Sequence, residues 1–218
     1  MNRYADDFIA LSAYGLLEFT DMSTVFPVDP QLISRTSQWI LSQKTADSFT
    51  RNSRSLDTFG AAPEDVTLAY IGKLTKLNIF LIRVLVYALT SAGVQYNELE
   101  GQIKNLLEIS KTSSDPYLLA LIARSLLNVG NHDNDTTRIL EKLVSSQQPD
   151  GRVTGAKTSI TSSMGTSLDI ETTALSVLSW LPVEKFAVSA QRSIEWLVSQ
   201  CQDGKFGSTQ STILTLKV

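Results

Sequence analysis

The stretch "WLVSQCQDGKFGSTQST", from Trp196 to Thr212, joins an amphipathic segment to a run of small hydroxyl residues. Its upstream apolar residues recur at i, i+3, i+4 and i+7, the spacing of one helical face: Ile194, Leu197, Val198 and Cys201. The pair Asp203-Gly204 then favours a turn. We therefore interpret the stretch as the joint between two helices, with Cys201 closing an apolar stripe.

Two earlier segments have the same frame, in which apolar residues are followed by Ser-Gln, an Asp and then Phe or Val. They are "WILSQKTADSF" (Trp39 to Phe49) and "KLVSSQQPDGRV" (Lys142 to Val153). The Gln amides at the helix ends are predicted to bond the last carbonyls: Gln43, Gln147 and Gln200. Gly151 and Gly204 are predicted to supply the positive φ that ends such helices.

Between these striped helices lie segments that are apolar nearly all round, which predicts that they are enclosed: Asp6 to Phe19, Asp115 to Gly130 and Asp169 to Leu181. Such segments begin near residues 5, 64, 115, 168 and 207. They are roughly 40 to 60 residues apart, about the period of helical-hairpin repeats. The pattern predicts an all-α fold, an incomplete α/α toroid of about four inner–outer hairpins plus a terminal inner helix, forming one domain over residues 1–218.

One segment does not fit this repeat spacing. From Glu64 to Ala92 the helical pattern continues without a stop signal, and residues 72–85, "GKLTKLNIFLIRVL", look like an insertion within an inner helix. Without them, the flanking "EDVTLAYI" and "VYALTSAG" would join into an inner helix of ordinary length. A structure in which Phe80 and Leu81 are fully buried within a straight helix would contradict this interpretation.

Composition excludes several classes of protein. The net charge of −3, without a long basic run, argues against nucleic-acid binding. The one cysteine cannot form an internal disulfide. The most apolar run, Ile79 to Leu89, is too short to span a bilayer, and the first ten residues lack a signal-peptide pattern.

The residues with reactive side chains give no convincing catalytic set. A catalytic cysteine needs a neighbouring His or a helix N-terminus, whereas Cys201 is predicted at a helix C-terminus. His132 is the only histidine and lies in a polar loop, which favours neither a zinc site nor a Cys-His pair. Asp133 and Asp135 lack the Gly and the closing Glu of a calcium loop. We therefore predict no metal site and no catalytic residue.

Acidic residues recur at the predicted starts of the inner helices. Capping and the helix dipole explain each of them. Because parallel inner helices place their starts at one mouth of a toroid, these carboxylates are also candidates for an acidic rim that recruits a basic partner. The candidate rim residues are Asp7, Glu64, Asp65, Asp115, Asp169 and Glu171.

The segments "IETTALSVLSWL" and "SIEWLVSQCQDGKFGSTQSTILTLKV" resemble the closing hairpins of the thioester domain of alpha-2-macroglobulin and complement proteins. The piece "GKFGSTQSTILTLKV" is the most specific match, and "FIALSAYGLLEFTDM" resembles an earlier inner helix of the same domain. The resemblance covers most of the chain outside the suspected insertion. It implies an α/α toroid, no cofactor, an extracellular or cell-surface location, and a parent protein that traps proteinases or tags surfaces in defence.

In that family a Cys-Gly-Glu-Gln motif forms the thioester, and this chain lacks the motif. The resemblance therefore implies a non-catalytic piece of a larger protein, whose partners are a proteinase or cell-surface target and the remaining macroglobulin domains. The loop that faces the thioester aligns with Ser55, Leu56 and Asp57, without the His of complement-type members. The alternative is an enzyme, a terpenoid-cyclase or prenyltransferase-like toroid, which requires an acidic cluster in its cavity.

Overall fold

A computed structural model describes residues 9–49, 84–159, 161 and 163–218. Within these ranges the chain forms helices and no β-strand, which confirms the all-α prediction. The α-helices are α1 Ile9–Met22, α2 Pro30–Ser42, α3 (84–91 in its described part), α4 Glu100–Thr112, α5 Pro116–Asn128, α6 Asn134–Ser145, α7 Gly165–Trp180, α8 Ala187–Ser199 and α9 Thr209–Leu216. Short 3₁₀ helices cover Tyr96–Glu98 and Glu184–Phe186.

The chain divides into two compact units, Met1–Ile109 and Ser110–Val218. In the second unit α7 packs against α5, α8 and α9, and α5 packs against α6. Eleven of the 13 residues of α5 and 11 of the 16 residues of α7 are buried, whereas α6 and α8 bury one stripe each. The predicted alternation of enclosed and striped helices is therefore confirmed in this unit, although the buried residues of α7 include one glutamate, two threonines and two serines.

In the first unit α1 packs against α2. Ala13 and Leu16 of α1 are fully buried, but Leu11 and Phe19 are exposed, so α1 is less enclosed than its sequence predicts. Residues 84–90 of α3 are all buried. Residues 72–83 of the suspected insertion, with Phe80 and Leu81, lie outside the described ranges, and the insertion stays a prediction.

The inner helices of the second unit begin in different ways. Asp115 is the N-cap of α5 and is followed by Pro116, whose fixed φ suits the first helical position. The predicted start of α7 at Asp169 is wrong, since α7 begins four residues earlier, at Gly165. The Asp169 carboxylate pairs with Arg152 instead of capping the helix. Asp169 and Glu171 therefore lie in the second turn of α7.

Each of α2, α6 and α8 ends in a short turn closed by one antiparallel bridge, here called a bridged turn. The bridges join Lys44 to Phe49, Gln147 to Val153, and Gln202 to Lys205. Gly151 and Gly204 have the predicted positive φ, +96° and +74°. They lie within the bridged turns and do not end the helices, whose C-cap residues are Ser146 and Gln200.

The predicted role of the glutamine amides is wrong. The amide of Gln147 donates to the Ser189 carbonyl and to Ser193 Oγ in α8, both at 2.8 Å. The amides of Gln43 and Gln200 donate to the hydroxyl of the preceding serine, each at 2.9 Å. The last carbonyls of these helices instead accept from the backbone N–H groups of the cap residues, which leaves the amides to bind elsewhere.

Two of the bridged turns lie on the next outer helix. In the first unit the Gln102 amide of α4 donates to the Thr45 and Ser48 carbonyls at 2.8 and 2.9 Å. In the second unit Arg192 of α8 donates to the Pro149 carbonyl at 2.8 Å. Polar side chains of the following helix therefore attach each of these two turns through the backbone carbonyls of the turn.

Candidate functional site

The residues predicted for the acidic rim and the thioester-facing loop fall only partly within the described ranges. Outside them lie Asp7, Ser55, Leu56, Asp57, Glu64 and Asp65. The three within them, Asp115, Asp169 and Glu171, all belong to the second unit. A loop leads from the second bridged turn to the start of α7, and its described residues, 151–159, 161, 163 and 164, include contacts to each of the three.

Asp115 performs a capping role. Its Oδ1 accepts from the backbone N–H groups of Tyr117 and Leu118 at 3.1 and 3.4 Å. Its Oδ2 accepts from the backbone N–H of Lys157 at 3.4 Å, so that the loop is attached to the start of α5. One carboxylate therefore both caps a helix and positions the loop.

Asp169 is partly buried and lies 3.5 Å from Arg152 Nη1. Burial raises the pKa of Asp169 above its ordinary value, and Asp150 adds to this, while the positive charge of Arg152 opposes both. Burial has the largest of these three effects on the pKa of Asp169. It raises the pKa because the buried environment penalises the charged form of the carboxyl group. The positive charge of Arg152 therefore offsets the negative charge of Asp169 near the start of α7.

Glu171 is fully buried. Its Oε1 accepts from Ser163 Oγ at 2.6 Å and from Ser208 Oγ at 3.2 Å. Its Oε2 is buried and has no hydrogen-bond partner among the residues that the structure describes. The side chain therefore links the loop, α7 and the start of α9, where Ser208 is the N-cap.

The structure thus separates the three described rim candidates. Asp115 and Asp169 retain partial exposure, whereas the Glu171 carboxylate is inaccessible to a macromolecular partner. Including Glu171 in an exposed rim was an error of sequence reasoning, which placed it in the first turn of α7. Recruitment of a basic partner by the remaining carboxylates stays a prediction.

Cys201 is exposed and follows the C-cap residue of α8. The prediction that it completes a buried stripe is wrong, because α8 ends at Ser199 and its buried face is formed by other residues: Ala190, Ser193, Trp196 and Leu197. Among the described residues, no three His, Cys, Asp or Glu side chains come close enough together to hold a metal ion.

Sequence reasoning missed the hydroxyl groups around Glu171. The loop "TGAKTSITSSMGTS", Thr154 to Ser167, is recognisable by composition as a loop, but its contacts are not. Ser163 and Ser208 are 45 positions apart in the sequence, and only the fold brings both to one carboxylate. The acidic residue inside the apolar "IETTAL" segment was the one available signal, since buried carboxylates are rare.

None of the helices in the described ranges has the length and apolar character needed to cross a membrane. No curated protein matches the chain. A family model described as the A-macroglobulin TED domain matches residues 8–218. TED domains are α/α toroids that bear a thioester in macroglobulins and complement proteins, and they are not enzymes. The match includes both units and nearly the whole chain, and this chain therefore belongs to the A-macroglobulin TED domain family.

Proposed function

We propose that this chain is a non-catalytic piece of an extracellular macroglobulin-type protein that traps proteinases or tags surfaces in defence. The observation that carries the proposal is the family match over residues 8–218. The alternation of enclosed and striped helices in the second unit supports it. The cyclase-like alternative requires convergent carboxylates, whereas the three described rim candidates, Asp115, Asp169 and Glu171, have separate structural partners.

The residues present here do not supply the thioester chemistry. The chain lacks Cys-Gly-Glu-Gln, and its one cysteine, Cys201, lies exposed at a helix end. A protein thioester requires a cysteine and a glutamine whose side chains react with each other. Covalent tagging by the whole protein would then depend on a different cysteine, and the chain would contribute the toroid scaffold that surrounds the bond.

Methylamine uptake by the complete protein tests this proposal. Attack of the amine on a thioester forms an amide and releases one thiol, so labelled methylamine and a new thiol are expected in equal amounts. Because Cys201 is exposed, it reacts with thiol reagents before and after the amine is added. The C201S variant removes this background and is expected to keep the full methylamine-dependent thiol.

Two results would contradict the proposal. A complete protein that neither incorporates methylamine nor gains a thiol has no live thioester. Loss of uptake in C201S, in a protein that still folds, would make Cys201 the reactive residue.

The partly exposed carboxylates give a further testable element of the proposal, contact with a basic partner. Asp169 is the suitable position, since Asp115 also caps α5. If the rim contributes, D169N is expected to weaken binding of the complete protein to its target and to reduce the salt dependence of that binding. Unchanged affinity at low salt would remove Asp169 from the contact surface.

A further inference from the structure

The Glu171 carboxylate is the most unusual polar group in the described part of the chain. Its side chain is fully buried, and the other buried residues of α7 are mainly apolar or small. An ionised carboxylate in such a place is strongly unfavourable unless its charge is compensated and both oxygens have partners. Glu171 meets only part of this requirement.

Its Oε1 is well satisfied by two serine hydroxyls, Ser163 Oγ at 2.6 Å and Ser208 Oγ at 3.2 Å. Its Oε2 is inaccessible to solvent and has no partner. The ion pairs seen in the described ranges do not include Glu171; the nearby Arg152 pairs with Asp169 and Asp150. No cationic side chain in these ranges therefore pairs with the Glu171 carboxylate.

The surroundings of Glu171 favour a metal cation as the missing partner. Carboxylate and hydroxyl oxygens are hard donors, the kind that alkali and alkaline-earth ions prefer. Serine hydroxyls accept as well as donate. Ser163 Oγ also contacts Thr161 Oγ1 at 3.0 Å, and Ser208 Oγ accepts from the backbone N–H of Ser211 at 3.1 Å and contacts Ser211 Oγ at 2.8 Å, so each hydroxyl keeps at most one lone pair for an ion. The buried position leaves no access for an organic amine.

The charge decides between monovalent and divalent ions. One carboxylate balances one positive charge, and a divalent ion would leave a net buried charge, which is again unfavourable. No group of three acidic, His or Cys side chains lies within the described ranges to balance a divalent ion.

We propose that Glu171 binds a monovalent inorganic cation, sodium or potassium, through Oε2, with the hydroxyls of Ser163 and Ser208 beside it. The bound ion neutralises the buried charge and stabilises the arrangement of the loop, α7 and α9. This inference does not depend on the proposed function.

Thermal unfolding of the full chain tests the site. At constant chloride concentration, sodium and potassium are compared separately with choline, a cation too large for the site. The preferred ion is expected to raise the melting temperature by about 3–5 °C when present at about ten times its Kd. Equal melting temperatures in all three salts would overturn the proposal.

Two variants of similar shape localise the effect. E171Q removes the charge, so its melting temperature is expected to be the same in all three salts and, in choline, at least as high as that of the wild type. D169N removes the neighbouring, partly exposed carboxylate and is expected to keep the cation-dependent rise. A rise that persists in E171Q would place the ion elsewhere.

A direct measurement on the wild-type chain covers the case in which E171Q does not fold. The sodium-23 relaxation rate is expected to show saturable binding of about one ion per chain, displaced by potassium. Relaxation that stays linear in protein concentration, without saturation or competition, would overturn the proposal.

Discussion

The α-carbon of Gly151 faces the backbone carbonyl of Arg192 so closely that a Cβ at position 151 would lie 2.2 Å from that oxygen. The next residue, Ser193, donates from Oγ to the Gly151 carbonyl at 2.5 Å. The second bridged turn is thus fitted onto α8 by a missing side chain and a buried hydrogen bond. Gly151 is required both for its positive φ and for this close approach.

Alanine substitutions at Gly151 and at Gly204 separate these two requirements. Both have positive φ, but nothing lies within 4 Å of a Cβ at Gly204. G204A is expected to lower the free energy of unfolding by about 1 kcal/mol, and G151A by about 3 kcal/mol, because it adds a backbone clash to the conformational strain. Denaturant titration of both variants measures the difference, and equal losses would rule out the clash.

A second glycine fits the first bridged turn onto α4. A Cβ at Gly101 would lie 1.8 Å from the Ala46 carbonyl oxygen, whereas one at Gly15 in α1 would meet only a Phe19 ring atom at 4.0 Å. G15A is expected to stabilise the chain by about 0.5–1 kcal/mol through helix propensity. G101A gains the same helix propensity, but the clash with the Ala46 carbonyl outweighs it. The net effect expected is a destabilisation of the chain by about 2 kcal/mol. Denaturation midpoints would show opposite shifts; a stabilising G101A would contradict this joint.

Thr172 and Thr173 are adjacent, fully buried threonines of α7 with different hydrogen-bonding roles. Thr173 Oγ1 accepts from the backbone N–H of Val153 at 2.9 Å, while Thr172 Oγ1 donates to the Leu168 carbonyl at 2.7 Å within the helix. T173V leaves a buried N–H without an acceptor and is expected to cost about 1–3 kcal/mol.

T172V is the matched control, because the Leu168 carbonyl keeps its helical partner, and a change within about 0.5 kcal/mol is expected. Amide hydrogen exchange at Val153 is an independent measurement: it should accelerate in T173V and not in T172V. Unchanged exchange in T173V would mean that the hydroxyl does not hold this turn.

Asp169 is expected to make stability depend on pH. Its pKa is raised from the ordinary 3.8, chiefly by burial, so the folded chain holds this proton more tightly than the unfolded chain does. Its contribution to stability therefore decreases as pH rises from below 3.8 through the raised pKa, and is constant above it. D169N does not titrate, and its unfolding free energy relative to the wild type should increase over that window.

The opposing charge of Arg152 provides the control for this prediction. Because Arg152 lowers the pKa of Asp169, R152Q is expected to raise that pKa further and to extend the upper end of the window to higher pH. A difference between D169N and the wild type that is independent of pH would contradict the assignment.

Much of the local structure follows from patterns in the sequence. Asp115-Pro116 predicts the start of α5, since a carboxylate cap and a proline at the next position act within a few residues. The apolar stripe of α6 predicts its buried face, and Ile139, Leu140 and Leu143 are buried there. Gly151 and Gly204 predict positive φ. Each of these features depends on neighbours in the chain.

At two positions the local sequence pattern predicted the helix boundary wrongly. Asp169 has the residue type of a helix cap, yet it pairs with Arg152 and the helix begins before it. Cys201 continues the apolar period of α8, yet the helix ends first and the thiol is exposed. The first error took a cap-type residue as the start of the helix, and the second assumed that a periodic pattern continues to the end of the helix.

The sequence by itself determined that this chain is all-α, because periodicity, caps and turn glycines are short-range properties. Its membership of the TED family followed from the resemblance of particular segments and from the family match over residues 8–218. Only the tertiary structure decided what the polar residues do. Gln147 reaches α8 rather than its own helix end, and Glu171 lies between Ser163 and Ser208 in the interior. Burial and hydrogen bonding between distant segments depend on which helices pack together, and no local pattern encodes that.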